Sequence, residues 1–234
     1  MSEELRPDLL EARVGALYRT DGDGRLLDTN EWDSRPAPRF HLMRTAAGPI
    51  LRGRADLPAG LLQRLQGLSL REPPDQAFTR LPAEHDRYLA ALSEHAPIEK
   101  VWAGPAYVLP PAPTPDLDVV NIDEDACERL AGRFDDWLED VAHRRPFVAV
   151  IAEGAAAAIC ASVRISPTVH CAGVETHPDF RRRGYALAAV AGWAHAVRAC
   201  GATPFYSTSW DNLASQRVAQ RLGGQLVGVD FHVT

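Results

Sequence analysis

The chain has 234 residues, a hydrophobic content of 46% and a formal net charge of −6 at pH 7. This length exceeds the usual size of a single domain and allows one large domain or two modest ones, each with a buried core. The negative net charge argues against general binding to nucleic acids or to anionic membranes.

The cysteines and the first residues bear on the cellular compartment. The cysteines form no CxxC pair and lie at no zinc-ligand spacing from a histidine, so buried reduced thiols and no metal site are expected at Cys127, Cys160, Cys171 and Cys200. The N-terminus is acidic without an apolar segment behind it, and no run approaches the about 18 apolar residues that span a bilayer. The sequence therefore predicts a cytoplasmic protein without membrane contact.

The first half of the chain predicts a small α+β module, because helical apolar spacing alternates with short extended runs and glycine-containing turns. In chain order the elements are a helix over 4–17, a hairpin over 18–27, a hairpin joining 39–44 to 50–54, helices over 57–68 and 84–96, and a strand over 98–108. This half contains no motif that indicates a catalytic activity or a ligand.

A proline-rich stretch marks the clearest boundary. Four prolines lie in the six residues from Pro110 to Pro115. Such a run excludes helix and central strand and favours a semi-rigid spacer. The predicted domains are therefore 1–112 and 116–234.

The second half alternates strands and helices. In chain order the predicted elements are a strand over 117–120, a helix with one apolar face from Cys127 to Val141, strands over 147–152, 155–163 and 168–176, a helix over 184–200, a strand over 205–209, a helix over 212–222 and a strand over 225–233. Gly201 follows the helix over 184–200 at the usual position of a C-cap glycine.

The segment from Val174 to Ala186 is the most informative part of the chain. It predicts a strand that ends, passes through three arginines and Gly184, and opens directly into an alanine-rich helix. Backbone N–H groups at a helix N-terminus lack partners and bind phosphate well, and small residues let the backbone approach a diphosphate. The alternative is a solvated basic loop that only caps the helix.

A second motif, Trp210-Asp211-Asn212-Leu213-Ala214-Ser215, begins 26 residues after Gly184. Its Asp or Asn can also serve simply as a helix cap. Together with Arg181-x-x-Gly184-x-Ala186, it resembles the acyl-CoA site of the GNAT superfamily of N-acyltransferases. The resemblance extends over residues 117–234 and implies the GNAT fold, a mixed, mostly antiparallel central sheet flanked by helices, within a chain of the α+β (α/β-like) class.

The resemblance implies acetyl-CoA as the cosubstrate, without a metal, and it assigns the cofactor contacts residue by residue. The implied contacts of the diphosphate and the thioester end are Val174, Thr176, His177, Arg181, Arg182, Arg183, Gly184, Tyr185 and Ala186. The implied contacts of the pantetheine arm are Asn212 and Ser215.

In this family an amine attacks the thioester carbonyl directly, and the tetrahedral intermediate expels the CoA thiolate. Amides near Thr176 and His177, where the strand separates from its neighbour, are expected to polarise the thioester oxygen. Glu175 is the only carboxylate on that strand and the first candidate for the base, with His170 or a water chain as alternatives. A solvated strand-end carboxylate is the other interpretation of Glu175.

The position of the general acid departs from the family pattern. The family often places a tyrosine seven residues after the motif asparagine, and here that position is Ala219. Tyr206 on the preceding strand is the candidate substitute, with Tyr185 or bound water as alternatives. Tyr206 can equally be a packed aromatic residue with a satisfied hydroxyl.

The sequence therefore predicts an N-acetyltransferase that acts on a small amine or on a protein amino group. A non-catalytic CoA-binding sensor or interaction domain is the alternative, because of Ala219 and the first half of the chain, which is either a substrate-binding lid or a degenerate second copy. Nucleic-acid binding through the three arginines is a third hypothesis, which the acidic net charge opposes. The acceptor and the oligomeric state, a homodimer among the alternatives, are left open.

Overall fold

The computed structural model describes residues 7–73, 78, 80–113 and 116–234. The predicted helix start at Glu4, and Thr114 and Pro115 of the proline run, lie outside the described residues. The chain divides into two compact units. Unit 1 comprises Met1–Tyr107, Ser207–Leu213 and Leu226–Thr234, and unit 2 comprises Val108–Tyr206 and Ala214–Gln225.

Unit 1 is an α+β module. Its elements are α1 (Pro7–Leu17), β1 (Tyr18–Thr20), β2 (Leu26–Thr29), β3 (Phe40–Thr45), β4 (Gly48–Gly53), α2 (Ala59–Ser69), α3 (His85–Ser93), β5 (Val101–Val108) and the last strand of the chain, β11 (Gln225–Val233). Strands β1 and β2 form an antiparallel hairpin, and the other strands pair in the order β4-β3-β11-β5. The helices and hairpins predicted for the described part of the first half are confirmed.

The core of unit 1 lies between its larger set of strands and the helices α2 and α3. Leu65 and Leu68 of α2 are buried there against Phe40, Tyr88 and Phe231. The amphipathic pattern of α2 therefore determines which face of the helix packs on the strands.

A buried ionic cluster lies between α1 and β11. The Arg13 guanidinium donates hydrogen bonds to both oxygens of Asp230, at 2.8 and 2.6 Å, and His41 Nε2 lies 3.3 Å from Asp230 Oδ1. Burial alone would raise the pKa of Asp230, but the charge of Arg13 and the hydrogen bond from His41 hold it well below its usual range. The carboxylate is therefore ionised inside the unit.

His232 lies close to this cluster on β11, and its ring stacks on Trp102 with a centroid distance of 5.1 Å. Burial, followed by the charge of His41, lowers the pKa of His232 to about 4. An unfolded histidine has a pKa of about 6.5, so between these values the unfolded chain binds more protons than the folded chain. Protonation therefore favours unfolding as the pH falls through this window.

Unit 2 is a mixed, mostly antiparallel sheet with helices. Its elements are β6 (Val119–Asn121), β7 (Phe147–Ala152), β8 (Ala155–Ile165), β9 (Val169–Thr176), α4 (Tyr185–Ala199), β10 (Thr203–Ser207) and α5 (Leu213–Arg221). The strands pair in the order β10-β9-β8-β7-β6, with β6 to β9 antiparallel and β9 parallel to β10. The predicted fold class is confirmed.

The two faces of this sheet are covered by different segments. Helix α4 packs on one face, where Trp193 Nε1 donates to Ser162 Oγ at 3.0 Å and Ser162 Oγ lies 2.9 Å from His170 Nδ1. The segment 122–141 covers the other face, in a cluster formed by Ile122, Leu130, Phe134, Val141, Phe147, Ala149, Ala156, Ile159 and Ala161. Because strand side chains alternate, β8 contributes to both faces.

The helix predicted from Cys127 to Val141 is wrong. The segment forms two short 3₁₀ helices, Cys127–Leu130 and Asp135–Trp137. Gly132 between them has a φ of 76°, outside the helical range, and its N–H donates to Asp135 Oδ1 at 2.7 Å. A glycine turn with an aspartate cap thus replaces the continuous helix, although Leu130, Phe134 and Val141 still reach the core.

The prediction of buried thiols holds for two of the four free cysteines. Cys160 and Cys171 are buried, Cys127 is half-buried and Cys200, at the end of α4, is exposed. Burial raises the pKa of the Cys160 thiol well above its ordinary value, which makes it unreactive. Among the described residues, no helix has both the length and the apolar composition that a membrane span requires.

The wild-type protein is expected to lose stability as the pH is lowered from about 6.5 toward the pKa of His232 near 4. His232→Phe keeps a ring on Trp102 and removes this titration. The variant should therefore lose less folding stability than the wild type over the same pH range. Some loss should remain, because burial also lowers the pKa of His170. Urea midpoints measured across this range provide the test, and identical pH slopes for the two proteins would contradict the assignment.

Candidate functional site

Strands β9 and β10 run parallel but are paired over three positions. The pairing begins with Val169 opposite Thr203 and ends with Cys171 opposite Phe205. Strand β9 continues to Thr176 in register with β8. The pairing of the two parallel strands therefore ends at the third of the eight residues of β9. We call the side of β9 beyond this point, which β10 does not pair with, the gap.

The hydrogen bonds of β9 determine which amides face this gap. His177 N–H donates to Ala157 O at 3.0 Å, so this amide points toward β8. Neighbouring residues of a strand direct their backbone groups to opposite sides, so the N–H groups of Val174 and Thr176 point toward the gap. The His177 amide, bonded within the sheet, is therefore not positioned for the role expected at the thioester.

The loop after β9 makes sharp turns before it reaches α4. Arg182 has a φ of 62° and Gly184 a φ of 85°, both in the left-handed region. Gly184 is the N-cap of α4 without a side-chain cap, and a Cβ at this position would meet no atom within 4 Å. The helix N-terminus is thus open beside Gly184, with first-turn N–H groups that have no partner within the helix.

Three exposed arginines directly precede this N-terminus in the chain, and one aromatic ring anchors their loop. Arg181 Nε donates to Thr176 O at 3.3 Å, which holds the loop against the end of β9. Phe180 is buried, and the guanidinium groups of Arg133 and Arg183 lie 4.6 and 5.5 Å from its ring centroid. The loop combines positive charge with a helix dipole, an arrangement that suits a diphosphate.

Tyr206 and Ser215, predicted for different roles, contact each other. Tyr206 is buried on β10, and its hydroxyl lies 2.5 Å from Ser215 Oγ in the first turn of α5. Ala219, at the position of the usual acid, is buried farther along α5. Tyr206 therefore places a phenol beside the helix that lacks the expected tyrosine.

Asn212 lies in the segment Ser207–Leu213 of unit 1, one residue before α5 begins. This segment lies beside β5, because Trp210 N–H donates a hydrogen bond to Ala103 O of that strand at 3.3 Å. The Trp210 indole also donates to Arg80 O at 3.1 Å. The start of the motif, at Trp210, is therefore held by contacts within unit 1.

Glu175 lies on the face of β9 away from α4. It stands opposite Ile159, whose side chain belongs to the cluster with the segment 122–141. The Glu175 carboxylate is exposed and accepts a hydrogen bond from Trp137 Nε1 at 2.8 Å. His170, the alternative base, is buried on the α4 face, where burial lowers its pKa.

The structure adds two residues that the motifs do not reveal. Arg133 contacts Phe180, and Trp137 binds Glu175 across 38 positions of sequence. Both lie in the segment whose helical pattern is misleading, so their partners could not be derived from periodicity. Within the described part of the chain, no group of His, Cys, Asp and Glu could hold a metal ion.

Comparison with known proteins bears on the fold of this part of the chain. Residues 150–233 match a family model described as FR47-like protein. The solved structure of a GCN5-related N-acetyltransferase from Sphaerobacter thermophilus matches with a TM-score of 0.50 and 15% identity, over 86% of this chain and 78% of that chain. The likeness shows that this part of the chain has the fold of the GNAT structures. None of the curated proteins that were compared matches the sequence.

Two further solved structures are similar to this chain. A GCN5-related N-acetyltransferase-like protein from Streptococcus suis has 16% identity and a TM-score of 0.47, over 97% of this chain and 100% of that chain. A GNAT-family protein from Novosphingobium aromaticivorans has 18% identity and a TM-score of 0.48, over 58% of this chain and 65% of that chain, just under two thirds of its length.

Proposed function

We propose that the protein is an N-acetyltransferase that moves an acetyl group from acetyl-CoA to an amine. The main support is the separation of β9 from β10, which directs the amides of Val174 and Thr176 into a gap. An arginine-rich loop and the open N-terminus of α4 follow directly in the chain. The GNAT fold of the domain is consistent with this use of the gap.

The loop is proposed to bind the diphosphate of the cofactor. Its donors are the backbone N–H groups of Gly184, Tyr185 and Ala186, and the guanidinium groups of Arg181, Arg182 and Arg183. The α4 dipole contributes about half a positive charge at this end, and the arginines add charge-assisted hydrogen bonds. His177 borders the loop with its ring, which packs against Phe180 at 5.9 Å.

The pantetheine arm is proposed to contact Asn212 and Ser215, as the family resemblance implies. The thioester then lies at the gap, where the amides of Val174 and Thr176 can donate to its carbonyl oxygen. These donors are oriented before the substrate arrives, because β8 holds β9 in register. Pre-oriented donors of this kind stabilise the oxyanion of a tetrahedral intermediate.

The reaction is proposed to need one base and one acid from this chain. Glu175 takes a proton from the ammonium form of the acceptor, and the neutral amine attacks the thioester carbon. A C–N bond forms, the C–S bond breaks, and Tyr206 donates a proton to the departing thiolate. The nitrogen of the new amide releases its second proton to water. Ser215 Oγ, 2.5 Å from the Tyr206 hydroxyl, relays a proton from water back to the Tyr206 phenolate.

Gly184→Glu is expected to abolish acetyl-CoA binding, because it places a carboxylate where the diphosphate binds. A side chain at φ 85° also costs about 1–2 kcal/mol of backbone strain, so a matched control is needed. Gly201 ends the same helix with a φ of 81° and is equally open, which makes Gly201→Glu that control. Calorimetric titration with acetyl-CoA measures both. Retained affinity in Gly184→Glu, or an equal loss in Gly201→Glu, would contradict the placement.

A CoA-binding sensor without catalysis is the second candidate, and Ala219 at the position of the usual acid favours it. Release of free thiol from acetyl-CoA, followed across small amines and peptides with free amino groups, separates the two functions. The enzyme predicts turnover with at least one amine, whereas the sensor predicts binding without turnover. Binding with no thiol release across the panel would overturn the enzymatic proposal.

A further inference from the structure

We infer that Trp137 is a positioning residue for the base of the reaction: its indole N–H holds one oxygen of Glu175 so that the other oxygen faces the acceptor amine. The inference rests on the proposed function, in which Glu175 takes the proton. It adds a residue from a segment that neither sequence motif includes.

The hydrogen bond has the geometry that such a role requires. Trp137 Nε1 lies 2.8 Å from Glu175 Oε2, within the range for a donor to an ionised carboxylate. An ionised carboxylate has two oxygens and about four acceptor positions, and one indole occupies a single position. Because Glu175 is exposed, the carboxylate can still be reached by an amine or a water.

The indole itself is held on several sides, so it can act as a fixed support. Its ring meets Phe147 edge-on at 5.9 Å, and the Arg144 guanidinium lies 5.3 Å from its centroid. Gly173, two residues before Glu175, leaves room for it, since a Cβ there would lie 3.3 Å from Trp137 Cη2 and 2.4 Å from Val163 Cγ1. The strand that carries the base is thus shaped to receive the indole.

The donor is neutral, and this matters for a base. A cationic partner would stabilise the carboxylate strongly and oppose its protonation during the reaction. The nearby cation, Arg144, lies over the indole ring and forms an ion pair with Asp140 at 2.9 Å. Trp137 therefore orients the carboxylate with a hydrogen bond rather than with a full charge.

A double-mutant cycle tests whether Trp137 acts through Glu175. Trp137→Phe keeps a ring and removes the donor, and it is expected to lower kcat by about 10-fold, since the carboxylate is then no longer held in one orientation. Glu175→Gln is expected to lower kcat by about 10²-fold or more. In the Glu175→Gln protein, Trp137→Phe should have almost no further effect on kcat. Affinity for acetyl-CoA should be unchanged by Trp137→Phe.

Trp193→Phe is the matched control, because it removes an indole donor bonded to Ser162 on the other face of the same sheet. Its effect should combine independently with that of Glu175→Gln. If wild type turns over an amine but Trp137→Phe lowers kcat equally in both backgrounds, the inference is overturned while the proposed function stands. If wild type turns over no amine, the proposed function fails first and the inference fails with it.

A second measurement needs no folded Trp137 variant. In the NMR spectrum of the Glu175→Gln protein, the chemical shift of the Trp137 indole N–H is expected to change, because the acceptor of its hydrogen bond loses its charge. The corresponding Trp193 resonance should stay in place. An unmoved Trp137 resonance would show that the hydrogen bond is absent in solution and would overturn the inference.

Discussion

The proposed chemistry depends on one feature of the sheet, the point where β9 leaves β10. Parallel pairing that ended at Thr176 would consume the amides of Val174 and Thr176 in strand hydrogen bonds. Because the pairing ends at Cys171, these half-buried donors face a gap instead. Buried backbone donors require partners, so such a gap suits a polar ligand such as a carbonyl oxygen.

Strand β9 supplies several parts of the proposed site at once. Its backbone edge faces the gap, its Glu175 side chain lies on the face away from α4, and its continuation forms the arginine loop. Each part is supported from a different direction: β8 fixes the register, Trp137 holds the carboxylate and Phe180 anchors the loop. A change in register by one residue would exchange the two sides of β9 and remove the amides and the carboxylate together.

Local signals in the sequence predicted most elements and the loop at α4. Gly184 and the three arginines before it are informative because the features that favour phosphate binding lie within a few consecutive residues. The helix predicted over 127–141 is wrong because apolar spacing does not show that Gly132 takes a positive φ and that its N–H donates to Asp135. The side to which the His177 amide points could not be predicted either, since it depends on the pairing of β9 with β8. The contact from Trp137 to Glu175 joins residues 38 positions apart and has no local signature.

Amide hydrogen exchange with and without acetyl-CoA tests the central claim most directly. The account predicts slower exchange at Val174 and Thr176 and at the first turn of α4 when the cofactor is present. His177 should exchange at an unchanged rate, because its N–H already donates to Ala157 O. Acetyl-CoA binding that leaves the amides of Val174, Thr176 and the α4 N-terminus unprotected would contradict the account.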